Sequence, residues 1–289
     1  MLLIIACGVL LAAGIVAIIA WGGERFVPPA APAALSRSST ETDDSMVTRQ
    51  LAGLRLYVWW ATVFTVIGTA TGILITGAGG RLVMRALALT SPDAAGGLTE
   101  AQARVGDITG SGTIAYLVFG ALPFAFASAA MYLLAAPWLP TGRLGGPAFG
   151  VVLFVTVSPF VDPLRADNID FDLVGPGWLS ILLFGVLAVL QGAALAALAG
   201  RLSRSLPVID RRDQMAAASP LLAAVVLVPI GVILALGALV ASTAPRALPW
   251  LLTTRASRTG VIVGCTLLVV AVLAALPAFI GSVISIAQP

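Results

Sequence analysis

Six polar residues crowd into positions 162–172: Asp162, Arg165, Asp167, Asn168, Asp170 and Asp172. Carboxylate and amide oxygens at this density are the ligands a hard divalent cation takes. Asp167, Asp170 and Asp172 are therefore the candidate metal ligands, and a divalent cation is the one cofactor the chain could hold. Asp170-Phe171-Asp172 has the form of the aspartate pair that grips a metal-nucleotide in glycosyltransferases. An EF-hand loop is not matched, because its glycine and distal glutamate are missing. The plain alternative is a solvated turn with an Asp162–Arg165 pair.

Arg81 and Arg85 stand one helical turn apart, among Leu82, Val83, Met84 and Leu87. That pattern predicts a short interfacial helix, guanidinium groups at the lipid headgroups and apolar residues in the tails. Ser91-Pro92 reads as a helix start. Thr99 and Gln102 have capping-box spacing, which predicts a short helix over 99–105. Gln191 is the one amide deep in an apolar run; it suits an interhelical hydrogen bond or a ligand contact. Arg81, Arg85, Arg104, Asp162, Arg165 and Gln191 are the candidates for binding a lipid headgroup or substrate. If loops 78–112 and 162–176 share one side, Arg81, Arg85 and Arg104 could meet the aspartates across the mouth of the bundle.

Other chemistries fail on composition. The chain has no histidine and no lysine, and all sixteen cations are arginine. Haem ligation by histidine, a retinal Schiff base, a P-loop lysine and imidazole-based hydrolysis are thereby excluded. Cys7 and Cys265 both lie in apolar runs and read as small packing residues. The net charge of +3 comes from arginines scattered between apolar runs. They form no basic stripe, so nucleic acid is not an expected partner.

What must position these residues is a membrane domain. Of the 289 residues, 59% are hydrophobic and only 10% charged, with mean hydropathy +1.04. Such a chain cannot cover its surface in water. A spanning helix needs about 20 apolar residues. Seven runs approach that length: 2–21, 56–77, 113–138, 144–161, 177–200, 220–242 and 260–284. The fourth is the shortest, bounded by Pro147 and Pro159, and could be re-entrant or tilted. The runs do not alternate as barrel strands do, and helices satisfy their backbone in lipid locally.

The expected fold is therefore all-α: a polytopic transmembrane helical bundle of about seven spans. Residues 1–21 form an N-terminal helix, read as an uncleaved anchor. Residues 22–53, rich in proline, serine and acidic side chains, form a flexible linker. Residues 54–289 form a six-span body. Tryptophans at run ends suggest an aromatic belt. Strict alternation puts nine arginines on one side and seven on the other. The positive-inside rule then places the N-terminus outside and the C-terminus inside.

No Asp, Glu or Arg falls within the seven runs. Ion-coupled pumps bury such groups, so a proton-driven pump is not expected. Within the runs, Thr62, Thr65, Thr69, Gly72 and Thr76 mark one face of the second helix. Gly192, Ala196 and Gly200, like Gly260 and Gly264, have small-xxx-small spacing suited to close packing. Pro123, Pro159, Pro229 and Pro277 interrupt runs.

The stretches GRLVMRALALTSPDAAGGLTEAQARVGDITGSGT and DPLRADNIDFDLVGP resemble those of an uncharacterised family of polytopic membrane proteins from high-GC bacteria. The resemblance covers roughly residues 78–200 and implies a bacterial cell membrane. The functional expectation is a non-catalytic accessory, scaffold or assembly subunit of a larger membrane complex, with membrane lipids and other membrane-protein subunits as partners. The alternatives are a carrier or flippase for a neutral or amphipathic substrate, and a metal-dependent lipid-processing enzyme.

Overall fold

Apolar runs fold as helices because each then satisfies its own backbone. In the computed structural model these helices pack around a main hydrophobic cluster and a smaller one at Ile75, Leu187 and Ala194. The structure describes residues 1–30, 32, 35, 46–100, 104–161, 164, 165, 168, 170, 174–206 and 228–287. Along the chain run α1 (Leu2–Trp21), α2 (Met46–Leu89), α3 (Gly110–Trp138), α4 (Gly145–Val157), α5 (Gly177–Ser205), α6 (Val228–Thr243), α7 (Ala247–Ala256) and α8 (Arg258–Ala287). Among the described residues the only extended pairing is an isolated antiparallel bridge between Leu98 and Arg104. Five helices (α1, α2, α3, α5 and α8) are long and apolar enough to cross a membrane. A sixth span results only if α6 and α7, bent 98° at their junction, count as one. The expected fourth span, α4, has 13 helical residues. At 1.5 Å per residue that is about 20 Å, short of a ~30 Å hydrocarbon layer.

The second helix departs most from its expected bounds. It starts at Met46, inside the stretch expected as linker, and runs on to Leu89. Arg81 and Arg85 are therefore not on a separate interfacial helix. A π-helical segment at Gly72–Gly77 joins the two halves. A second one, Leu117–Ala121, lies in α3 just before Pro123. Proline cannot donate to the carbonyl four residues back, and a wider turn there accommodates the missing bond. The Tyr116 hydroxyl donates to the Thr76 carbonyl at 3.1 Å, tying the two wide turns together.

The first helix is packed, not loosely tethered. Its Cys7 and Gly14 are buried. A side chain on Gly14 would strike Ile75 and Leu74 of α2, and one on Gly79 would reach Leu11. Beyond Trp21 the chain stays attached. The Val27 amide donates to Ser203 Oγ at 3.1 Å, and Phe26 packs edge-on against Trp60 at 5.3 Å. Trp59 and Trp60 are thus buried in the core with Leu56, Val63, Ile67, Tyr132, Phe149 and Leu195, rather than in an aromatic belt. Trp178 and Trp250 are exposed, as belt residues are.

Close backbone approach sets the α4–α5 contact. A Cβ on Gly150 would lie 2.7 Å from Val189 Cα, and one on Gly192 would lie 2.8 Å from Gly150 Cα. Gly200 meets the Glu24 backbone and Gly264 meets the Trp138 ring, so the small residues do serve packing.

The contacts also fix which segments share an end. At one end, Thr90 and Ser91 both donate to the Gly175 carbonyl at 2.7 Å, and Gly177 abuts Ile286 of α8. The start of α1 runs beside this half of α2. We call this the loop end. At the other, the Trp138 indole donates to the Arg255 carbonyl and Gly53 meets Ala241 and Pro245. Both ends of the described chain therefore lie toward the loop end. This corrects the expected opposite sides. Alternation of seven spans fails because α6 runs alongside the start of α2 toward the second end, and α7 then turns across that end. Reporter tags fused at the two termini should accordingly show the same accessibility in right-side-out vesicles; opposite accessibility would contradict this path.

Candidate functional site

The acidic loop and the 90–109 segment do meet, but through different partners than expected. Arg165 pairs with Glu100 at 2.6 Å, and Asp170 Oδ1 accepts from the Glu100 amide at 2.8 Å. Arg85 donates to the Gly106 carbonyl at 2.7 Å. Arg81 is buried, its guanidinium 5.2 Å over the Tyr116 ring. Arg104 sits in the bridge to Leu98, with the Val105 amide donating to the Gly97 carbonyl. Of the helix expected over 99–105, residues 99, 100, 104 and 105 are not helical, and 101–103 lie outside the described residues. Asp162, Asp167 and Asp172 lie outside the described residues. Among the described residues no three His, Cys, Asp or Glu side chains gather as a metal site. Both partners of the Arg165–Glu100 pair are substantially exposed. Glu100→Gln should therefore cost less than about 1 kcal/mol, read as a thermal midpoint within a degree or two of the parent.

Mid-bundle, Gln191 of α5 is fully engaged. Its Nε2 donates to Thr71 Oγ1 at 3.0 Å and Ser128 Oγ at 3.1 Å, while its Oε1 accepts from Thr76 Oγ1 at 3.0 Å. Thr71 and Ser128 spend their own protons on the Ile67 and Ala125 carbonyls. Every hydrogen in the cluster thus has one consistent direction. Three helices are joined through side chains that are buried, where an unmade hydrogen bond is costly. Thr71 escaped the expected threonine face, whose 3-and-4 spacing picked Thr69 and Thr76. In a π turn the hydrogen-bonded residues are five apart, and Thr71 and Thr76 are five apart.

At the end opposite the loops the structure opens into a cavity of about 430 Å³. The C-terminus of α1 and residues 22–28 form one wall. The end of α3, the start of α4, the middle of α5 and the last turn of α7 form the rest. Ile18, Phe26, Tyr132, Ala193, Ala196 and Leu252 supply apolar surface; Arg25, Arg143, Arg255 and Glu24 supply charge. Arg25 and Arg143 are exposed. Arg255 is only 8% exposed. Its Nη1 donates to the carbonyls of Leu133 and, at 3.0 Å, Leu134, near the end of α3, and its guanidinium carbon lies 5.1 Å over the Trp60 ring. Its Nε is buried without a hydrogen bond. Glu24 lies 3.9 Å from Arg204.

Sequence reasoning passed over this cavity. Strict alternation assigned Arg255 to the opposite side from Arg25 and Arg143, and no spacing links the three. A helix turning back after Ala241 toward Gly53 is a tertiary fact without a local signature.

No protein-family model, curated protein or solved structure matches the chain. The reading of its function rests on its own geometry.

Proposed function

We propose that this protein is a non-catalytic integral membrane protein, an accessory or scaffold subunit of a larger membrane complex. The observation that carries this reading is the Gln191 cluster. Gln191, Thr71, Thr76 and Ser128 bond one another across α2, α3 and α5, which supports cohesion rather than a polar passage at this point. Around that cluster, α1, α6 and α8 turn large apolar side chains outward, including Leu236, Leu239, Leu267 and Leu273. Such faces suit lipid or the helices of other subunits.

The arginine distribution supports an orientation. Contacts place Arg246, Arg255 and Arg258 with Arg25, Arg49, Arg55, Arg143, Arg201 and Arg204 at the cavity end; Arg81, Arg85, Arg104 and Arg165 are at the other. The positive-inside rule then turns the cavity end to the cytoplasm of a bacterial cell and both termini outward.

Purification from native membranes in a mild detergent tests the assignment. The expected result is a second membrane protein at a fixed stoichiometry through successive columns. A monodisperse single chain that speeds lipid exchange between vesicle leaflets would overturn it. That outcome would favour a second reading, a carrier or flippase for an amphipathic substrate, to which the 430 Å³ cavity lends support.

A further inference from the structure

The cavity carries an inference of its own. Arg255 is an arginine more than nine-tenths buried, and no carboxylate touches it among the described residues. A buried cation without a counter-ion is costly. The carbonyls of Leu133 and Leu134 and the Trp60 ring offset part of that cost through one nitrogen and one face. The Nε remains unbonded. Two further arginines, Arg25 and Arg143, line the same space, against one carboxylate, Glu24, which has Arg204 beside it. Arginine presents a planar fork of donors that matches phosphate oxygens, and the fork is less strongly hydrated than an ammonium. Ile18, Phe26, Tyr132 and Leu252 line the same space with apolar surface. A space with cationic groups and hydrocarbon walls, at the end of a membrane bundle, matches a molecule with an anionic head and an apolar tail.

We infer that this cavity binds a phosphate-bearing anion, with Arg255 as the buried anchor and Arg25 and Arg143 closing on the headgroup. The phosphate could belong to an anionic phospholipid or to a soluble phosphate ester. The inference does not depend on the scaffold reading, since a carrier could hold the same ligand.

The test is thermal unfolding of the full chain in a neutral detergent, with added phosphatidylglycerol, phosphatidylcholine or glycerol phosphate. Phosphatidylglycerol should raise the midpoint by several degrees and phosphatidylcholine should not, because ligand that binds only the folded state stabilises it. A comparable rise with glycerol phosphate alone would identify the soluble source; its absence, the lipid. The double variant Arg25→Gln/Arg143→Gln changes two exposed side chains and should keep the parent midpoint, while weakening the phosphatidylglycerol response about tenfold in apparent affinity. Arg255→Met should lose the response altogether, whatever its own midpoint. Arg258→Gln removes an exposed arginine from the same end outside the cavity and should leave the response intact. Equal rises with both lipids, no rise with any phosphate compound, or equal loss in Arg258→Gln and the double variant would overturn the inference.

Discussion

Replacing Gly192 with leucine should abolish the folded protein. The α4–α5 contact is backbone against backbone: a Cβ on Gly192 would already lie 2.8 Å from Gly150 Cα. No rotamer change relieves such a clash, so the helices must move apart. Their separation strips dispersion contacts from the whole interface, and small residues are what hold membrane helices together. Overpacking a core with side-chain neighbours costs about 1–3 kcal/mol; here the cost should reach the upper end or exceed it. Fluorescence-detected gel filtration should show aggregate in place of the monodisperse peak, and Gly150→Leu should behave alike. Gly281→Leu is the matched control. Nothing lies within 4 Å of a Cβ built there, and leucine favours helix over glycine. A normal peak for Gly192→Leu, or equal loss for Gly281→Leu, would show that close approach does not govern this contact.

Gln191→Leu should be the next most damaging. Leucine has similar length but no polar atom, so Thr76 loses its acceptor while Thr71 and Ser128 lose a donor. Single interhelical hydrogen bonds in membranes average about 0.6 kcal/mol, because a hydroxyl can turn to a carbonyl of its own helix. Thr71 and Ser128 already do so and should suffer little. Three bonds through one buried amide should sum to about 2 kcal/mol. The thermal midpoint in detergent should fall by several degrees. Thr71→Val together with Ser128→Ala should cost at least as much as Gln191→Leu, since it strands both Nε2 hydrogens of the buried amide. A midpoint unchanged in Gln191→Leu would reduce the cluster to ordinary packing.

How far these features could be read in advance depends on what encodes them. Helix existence is encoded locally: α1, α3, α5 and α8 lie within a few residues of their apolar runs, because lipid leaves a backbone no other partner. The small-residue positions were legible for the same reason. Gln191 was legible as an outlier, one amide among leucines and alanines. The continuity of α2 was not. Arg81 and Arg85 look like an interface signal to any local pattern, and only the Tyr116 ring, supplied from 35 residues away, gives Arg81 a buried place. The π turns that bring Thr71 and Thr76 onto one face, likewise, answer to neighbours in α3 and α5. The cavity was the least legible part, since its three arginines come from three segments brought together by the path of α6 and α7.

The 44-residue α2 has a mechanical consequence. At 1.5 Å per residue it is about 66 Å long, roughly twice the hydrocarbon thickness. About a third of the way along it carries Trp60, the ring beneath Arg255; nearer its far end it carries Arg81, stacked over Tyr116. The intervening backbone stays helical throughout, with the π-helical turn at Gly72–Gly77 between them. An axial slip of this single strut would shift both stacking contacts together, so the ring under Arg255 at the cavity end and the seating of Arg81 toward the loop end move as one lever.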